Sequence, residues 1–237
     1  MATAIELKNV NKIYGETKEV QVHALQDVDL KIEKGKFVAI VGPSGCGKST
    51  LLNMVGALDN PSSGKIFLDG VDLSELSGAD IARVRGKKIG FVFQFFNLFP
   101  TLNTLQNVEL PMMISGLSGK ERKEKARSLL KSVGLQDFEH HFPRQLSGGQ
   151  QQRLTIARAL ANDPVFLLAD EPTGNLDSKS SHTVLEVFNN LHRKKKATIV
   201  MITHEHDIAK YAEEIIHLHD GKVLKITKNK KRRVTKK

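Results

Sequence analysis

Four stretches of the chain are apolar at successive positions rather than at alternate ones: Phe37–Val41 and residues 89–93, 165–169 and 197–203. Runs this short and without alternation suit strands buried on both faces, and hence a parallel sheet with helices around it. The N-terminal part differs. Around Ile5 and Leu7, and again around Val28, Leu30 and Ile32, apolar and polar residues alternate, as half-exposed antiparallel strands require. Ser178–Lys195 instead spaces Val184, Leu185, Val187, Phe188 and Leu191 along one helical stripe. Asp69-Gly70 and Asp220-Gly221 are hairpin or turn signals. Between about residues 94 and 160 the pattern is mostly helical, with Pro100, Pro111 and Pro143 expected as breaks. The chain is thus expected to be α/β, with a mainly parallel sheet, an N-terminal antiparallel β subdomain and an α-helical subdomain inserted at about residues 95–160.

Composition sets limits on this picture. With 237 residues, 40% apolar and 26% charged, the chain fits one large globular domain or a domain with a subdomain. No apolar run approaches the roughly 20 residues of a membrane-spanning helix. The first residues carry neither a basic nor an apolar leader segment, so no signal peptide is expected. The single cysteine, Cys46, excludes an internal disulfide and suits a reducing compartment. A formal charge of +10 raises nucleic acid as a partner. Its distribution argues otherwise, because nine basic and no acidic residues follow Gly221, leaving 27 basic residues against 26 acidic ones elsewhere. The end of the chain, residues 227–237, is expected to be a disordered basic tail, either solvated or beside anionic lipid headgroups. No nucleic-acid partner is expected.

The run Phe37–Val41 leads into Gly42, Pro43, Ser44, Gly45, Cys46, Gly47, Lys48, Ser49 and Thr50, and then into the helix-like Leu51, Leu52, Met54 and Val55. This is G-x-x-x-x-G-K-[ST] between a strand and a helix, the context the motif needs. Glycines let successive backbone N–H groups turn inward onto a polyphosphate, and the helix N-terminus adds its dipole. Lys48 can then bridge the β- and γ-phosphates of ATP, and Ser49 can offer its hydroxyl to Mg²⁺.

The apolar run at 165–169 ends in Asp170 and Glu171. Neighbouring strand residues point in opposite directions, so the two carboxylates need not share a task. Asp170 is placed to hold Mg²⁺ through water, and Glu171 to orient or deprotonate an attacking water. The run at 197–203 ends beside His204, which could donate to a γ-phosphate. His204 with His206, and His217 with His219, are H-x-H pairs, but no third ligand accompanies them and metal binding there is not expected.

Further along, Leu146, Ser147, Gly148, Gly149, Gln150, Gln151, Gln152 and Arg153 open a helix with Ser147 as a plausible N-cap, and the two glycines leave room for another body. With the phosphate loop before it, and Leu168-Ala169-Asp170-Glu171-Pro172-Thr173-Gly174-Asn175-Leu176-Asp177 after it, this string resembles the nucleotide-binding subunit of ABC transporters. The similarity runs over about residues 5–226, taken as the ATPase domain. The resemblance implies a P-loop NTPase core that binds ATP and Mg²⁺. By position, Tyr14 resembles the residue that stacks on adenine, and Gln94 the glutamine that senses Mg²⁺ and the attacking water. Ser147, Gly148, Gly149 and Gln150 resemble the segment that contacts ATP held by the opposite subunit. Asp177 resembles the aspartate that crosses the dimer interface, and His204 the switch histidine. The family also implies a head-to-tail dimer of two copies, a separate integral-membrane permease, and a peripheral place on the cytoplasmic face of the inner or plasma membrane.

Two features narrow the type. Residues 18–25, taken with residues 170–177, are similar to the lipoprotein-releasing and macrolide-exporter group (MacB/LolD-like), which implies export or extraction of a lipoprotein, peptide or drug-like substrate. A cell-division ABC complex that signals without transporting is the alternative. DNA-repair relatives would need a long coiled coil, and translation-factor relatives a second cassette; the sequence has neither. Five of the eleven phenylalanines, Phe91, Phe93, Phe95, Phe96 and Phe99, cluster around Gln94. Core packing is expected for Phe91 and Phe93. The other three form either part of the helical subdomain or an apolar groove near residues 94–99 that receives a permease helix.

Overall fold

A computed structural model describes residues 2–229 except Glu16, Lys18 and Glu19. The start of the 18–25 segment and the basic residues 230–237 therefore lie outside the described residues. In chain order the elements are β1 (Thr3–Tyr14), β2 (Val22–Glu33), β3 (Phe37–Val41), α1 (Lys48–Val55), β4 (Ser63–Leu68), β5 (Val71–Asp72), α2 (Gly78–Lys88) and β6 (Ile89–Val92). Three helices follow, α3 (Thr104–Ile114), α4 (Gly119–Ser132) and α5 (Gly148–Ala159). The chain returns to the sheet with β7 (Phe166–Asp170), α6 (Ser178–Lys195), β8 (Thr198–Ile202), α7 (His206–Ala209), β9 (Glu214–His219) and β10 (Lys222–Lys228).

The alternating segments build an antiparallel sheet in the order β2-β1-β4-β5. The continuous apolar runs build a second sheet, β10-β9-β3-β8-β7-β6, parallel throughout except for the β9–β10 hairpin. Both expected turns form: Asp69 and Gly70 have φ of 52° and 79°, and Asp220 and Gly221 have 45° and 74°, the paired left-handed residues of a tight hairpin.

Why the runs had to be continuously apolar is visible in the packing. Phe37, Ala39 and Val41 of β3 face one core, and Val38 and Ile40 face another. Strands β7 and β8 divide in the same way, with Leu167, Ala169, Ile199 and Met201 on one side and Phe166, Leu168, Val200 and Ile202 on the other. The first core is closed by α3 to α6, including Val184, Leu185, Phe188 and Leu191 on the α6 stripe. The second is closed by α1 and the antiparallel sheet.

Three expectations are corrected. Pro111 does not break a helix: α3 runs through it to Ile114. The helix is fixed at its start by a capping box between Asn103 and Gln106, and buried Met112 anchors the turn after the proline. Only one turn remains beyond Pro111, so little hydrogen bonding is lost. Secondly, β6 stops at Val92, and Phe93 lies outside the strand, half-buried and stacked on Phe91 with ring centroids 5.5 Å apart. Thirdly, β10 extends to Lys228, and the Asn229 N–H donates to the Glu213 carbonyl at 2.8 Å, so ordered structure passes the expected boundary at residue 226.

Gly90 shows how closely α5 is laid on the sheet. A Cβ there would sit 2.4 Å from the Ala159 carbonyl oxygen and 2.6 Å from Leu167 Cδ2. Gly90→Val is expected to destabilise the fold by about 1–3 kcal/mol through overpacking, a drop in Tm of roughly 2–12 °C. Calorimetry giving an unchanged Tm would contradict this contact.

Candidate functional site

Three strand ends set the site. Ile40 of β3 pairs with Ile202 of β8, and Ile202 pairs with Asp170 of β7, so the parallel strands finish level. Beyond them lie the phosphate loop, Thr203 with His204, and Glu171. Cross-bonds extend the ladder by one residue: the Thr203 N–H donates to the Ile40 carbonyl at 3.2 Å and the Glu171 N–H to the Ile202 carbonyl at 2.9 Å.

The loop from Gly42 to Gly47 closes onto α1. Gly47 caps this helix with φ 98°, and a Cβ there would fall 2.4 Å from the Ala24 carbonyl oxygen, so glycine is required on both counts. No side chain caps α1 and no acidic residue occupies its first turn, which leaves its N-terminal dipole available to an anion. Buried Lys48 donates through Nζ to the carbonyls of Gly42 (2.8 Å) and Pro43 (2.7 Å). Gly45, Gly47, Lys48, Ser49 and Thr50 line a 470 Å³ cavity with Tyr14 at its side. Gly42, Pro43 and Ser44 line a second cavity of 850 Å³ together with Glu171 and His204. Cys46 lines neither: its side chain is buried in the core beneath the loop.

Tyr14 is 41% exposed, which leaves ring surface free for stacking, and its position is fixed from behind. Its hydroxyl donates to Asp59 Oδ2 at 3.0 Å, while Lys12 Nζ pairs with the same oxygen at 2.8 Å and lies 4.8 Å from the tyrosine ring centroid.

Asp170 is pushed above the ordinary carboxylate range, first by burial and then by the adjacent Glu171 charge; Lys48 opposes both. Glu171 adopts φ 42°, a left-handed conformation that is strained for a residue with a long side chain. Its Oε1 accepts from His204 Nδ1 at 2.8 Å, which fixes a proton on that nitrogen. Gln94 follows β6 and donates through Nε2 to Asn175 Oδ1 at 3.2 Å. A Cβ on Gly174 would come 2.8 Å from Gln94 Nε2, so glycine lets the glutamine lie against this turn. Ser49, Gln94 and Asp170 supply the hard oxygen donors that Mg²⁺ takes. The partly uncompensated Asp170 charge is one that a cation would offset, so the donor set fits this ion.

The Ser147 end lies apart. Ser147 Oγ accepts from the Gln150 N–H at 3.3 Å while Gln150 Oε1 accepts from the Ser147 N–H at 2.7 Å, a capping box on α5. None of Ser147, Gly148, Gly149 or Gln150 lines either cavity beside the phosphate loop. The space expected at Gly149 is taken by the chain itself, since a Cβ there would meet Ser180 Cβ at 2.9 Å. Ser180 belongs to the first turn of α6, whose N-cap is Asp177.

The chain's residues 25–174 match the family model described as ABC transporter. An ABC transporter ATP-binding protein of Thermotoga maritima is 51% identical, covering 94% of each chain. The chain belongs to the ABC transporter family. It is similar to the lipoprotein-releasing system ATP-binding protein LolD 1 of Chlorobium chlorochromatii, at 46% identity over 93% of this chain and 90% of the relative. It is also similar to the macrolide export ATP-binding/permease protein MacB of Hyphomonas neptunium, at 47% identity over 95% of this chain but only 35% of that longer protein. Among solved structures, the ATP-binding cassette MJ0796 of Methanocaldococcus jannaschii, a dimer in a post-hydrolysis state bound to ADP and Pi, superposes with TM-score 0.85 at 45% identity, covering 95% of this chain and 99% of that one. This ABC subunit is an ATPase of the MacB/LolD-like type with the P-loop NTPase fold.

Several contacts in the ABC site had not been singled out as functional: Asp59 and Lys12 behind Tyr14, Asn175 against Gln94, and His217, His219 and Lys225 along the 850 Å³ cavity. Asn175 stands in the sequence only as one member of the 168–177 string, and His217 with His219 only as an H-x-H pair; Asp59 and Lys225 carry no signal there because segments remote in the chain bring them in. Among the described residues no group of three or more His, Cys, Asp or Glu side chains that could hold a metal ion forms.

The raised Asp170 has a testable consequence. A carboxyl whose pKa rises on folding contributes stability that is present below its unfolded value and lost as pH rises through the folded one. Asp170→Asn is therefore expected to raise Tm at neutral pH in nucleotide-free protein, with the gain disappearing as pH falls below the carboxylate range. A Tm lowered at pH 7 would contradict the burial penalty.

Proposed function

We propose that this ATPase is the motor of a membrane complex: ATP draws two copies together head to tail, and their closure drives a separate integral-membrane permease that exports or extracts a lipoprotein, peptide or drug-like substrate. The observation that carries this is the level ending of β3, β8 and β7, which gathers Lys48, Asp170, Glu171 and His204 at one sheet edge while exposed Ser147 stands elsewhere. Half of an ATP site is thus complete within the chain, and the Ser147 end is left for the site of the second copy.

In this reading Tyr14 stacks on the adenine, and the backbone N–H groups of the loop and α1 receive the phosphates. Lys48 leaves the Gly42 and Pro43 carbonyls for the β- and γ-phosphates. Ser49, Gln94 and Asp170 would hold Mg²⁺, Asp170 through water; the ion would neutralise phosphate charge. Glu171 orients or deprotonates the attacking water, and His204, held by Glu171 at Nδ1, presents Nε2 toward the γ-phosphate. Satisfying both partners as a donor requires a proton on each ring nitrogen. Ser147 to Gln150 of the second copy complete the γ-phosphate contacts, with Asp177 at the interface.

No helix among the described residues is long and apolar enough to cross a membrane, and in this reading the permease is a separate chain. A 610 Å³ groove between β6 and α3, lined by Phe91, Phe93, Phe99, Leu110, Pro111 and Ile114, suits a short apolar helix of that permease at the cytoplasmic membrane face. Ile114, part of this lining, is 78% exposed, and Phe95, two residues after Phe93, is 70% exposed. Large apolar side chains left this open are characteristic of an interaction surface.

Glu171→Gln is expected to retain ATP binding and lose turnover by about 10²–10⁴-fold. Hydrolysis at the unmodified rate in a phosphate-release assay would rule out the role of Glu171. Phe99→Asp combined with Ile114→Asp is expected to abolish co-purification with the permease while the isolated subunit still binds ATP. Retained co-purification would move the docking region elsewhere.

A further inference from the structure

We propose that Gln152 is a positioning residue that locks the two water-handling loops of one ATP site to the helix serving the other site. The inference rests on the reading of Gln94, Glu171 and Ser147 given above, and it adds the physical link between them.

Gln152 lies in α5 and is 0% exposed. Burying a primary amide is costly unless its hydrogen-bonding groups find partners. Here one nitrogen serves two carbonyls: Gln152 Nε2 donates to Phe93 O at 3.1 Å and to Pro172 O at 2.7 Å. Thr155 Oγ1, which donates to the Gln152 backbone carbonyl at 2.8 Å, also lies 3.3 Å from Gln152 Oε1, and the two carbonyl acceptors orient the amide. Phe93 is the residue before Gln94, and Pro172 is the residue after Glu171. A single side chain therefore spans the backbones that carry both proposed water-handling groups. A carboxylate of the same length could not do this, because it has no hydrogen to donate.

The bond to Pro172 has a further effect. The Glu171 backbone is left-handed and strained, and such a conformation persists only where its surroundings over-determine it. On the sheet side the Glu171 N–H is held by the Ile202 carbonyl, and on the other side Gln152 holds the Pro172 carbonyl, one peptide beyond the Glu171–Pro172 bond. Arg158, farther along α5, donates to the carbonyls of Phe96 (3.1 Å) and Asn97 (2.6 Å). The helix thus grips the segment around Gln94 on both flanks. Ser147 caps this same helix, roughly 7.5 Å along the axis from Gln152. A shift of α5 caused by ATP at the Ser147 end moves Gln94 and the Glu171 backbone together.

The test uses Gln152→Met, which keeps length and burial but removes the donors, in the full chain. The expected result is a kcat lower by about 10–100-fold with unchanged ATP affinity, because the loss is one of alignment. Combined with Gln94→Ala, it should add little further loss, since Gln152 acts through that loop. A folded, ATP-binding Gln152→Met protein with normal kcat, or losses that multiply in the double variant, would overturn the proposal. If Gln152→Met fails to fold, Arg158→Lys replaces it: an ammonium in place of the two-armed guanidinium should lower kcat without changing ATP affinity, and an unaltered kcat would count against the clamp. Glu171→Gln measured in parallel separates the two ideas. An active Glu171→Gln protein refutes the site reading, whereas an inactive one beside a normal Gln152→Met refutes only the role of Gln152.

Discussion

The parallel register of β3, β8 and β7 is the constraint on which the rest depends. Because Ile40, Ile202 and Asp170 stand abreast, three loops far apart in sequence leave the sheet at one level. A slip of two residues in β7 would carry Glu171 some 7 Å along the strand, out of reach of His204. The register is held by the alternate facing of each strand into two cores, so a slip of one residue would also exchange the sets buried on either side. Packing thereby fixes the chemistry's coordinates before any catalytic residue is considered.

The site nevertheless departs from relaxed geometry at the position where it matters most. Glu171 is left-handed, and Asp170 is a buried carboxyl beside another negative charge. Both are costs carried by the surrounding fold, one through hydrogen bonds to neighbouring peptides and the other through Lys48 nearby. Concentration of strain and unfavourable charge in two adjacent residues at a sheet edge is what a functional site does to an otherwise consistent structure.

Much of this was legible in the sequence because it depends on short-range pattern. The buried strands, both left-handed hairpin turns, the whole of α6 and the strand–loop–helix of residues 37–55 follow from periodicity and from local turn and capping chemistry. So does the meeting of Lys48, Asp170 and Glu171 at strand ends, once the sheet is parallel. What was not legible depends on neighbours remote in the chain. Pro111 reads as a break until the capping box at Asn103 and the burial of Met112 are known. Phe93 reads as core until β6 is seen to end one residue earlier, and Gly149 reads as open until Ser180 is seen against it. Gln152, an unremarked polar letter in a glutamine run, gains meaning only from the carbonyls it meets.

Lys48 carries one more consequence. Its ammonium group is held by the protein itself, through the Gly42 and Pro43 carbonyls. On the proposed reading of Lys48, nucleotide arrival is a ligand exchange at a cation, not the capture of an anion by a bare charge. An incoming group must outcompete two short dipolar contacts that cost nothing in translational freedom. A lone monovalent anion gains little from that trade, whereas a chain of linked phosphates, once one end is seated on the α1 N-terminus, delivers the next oxygen at high local concentration. On that proposed reading the loop discriminates by connectivity as well as by charge, and the two carbonyl contacts of Lys48 set the threshold that a ligand must be long enough to cross.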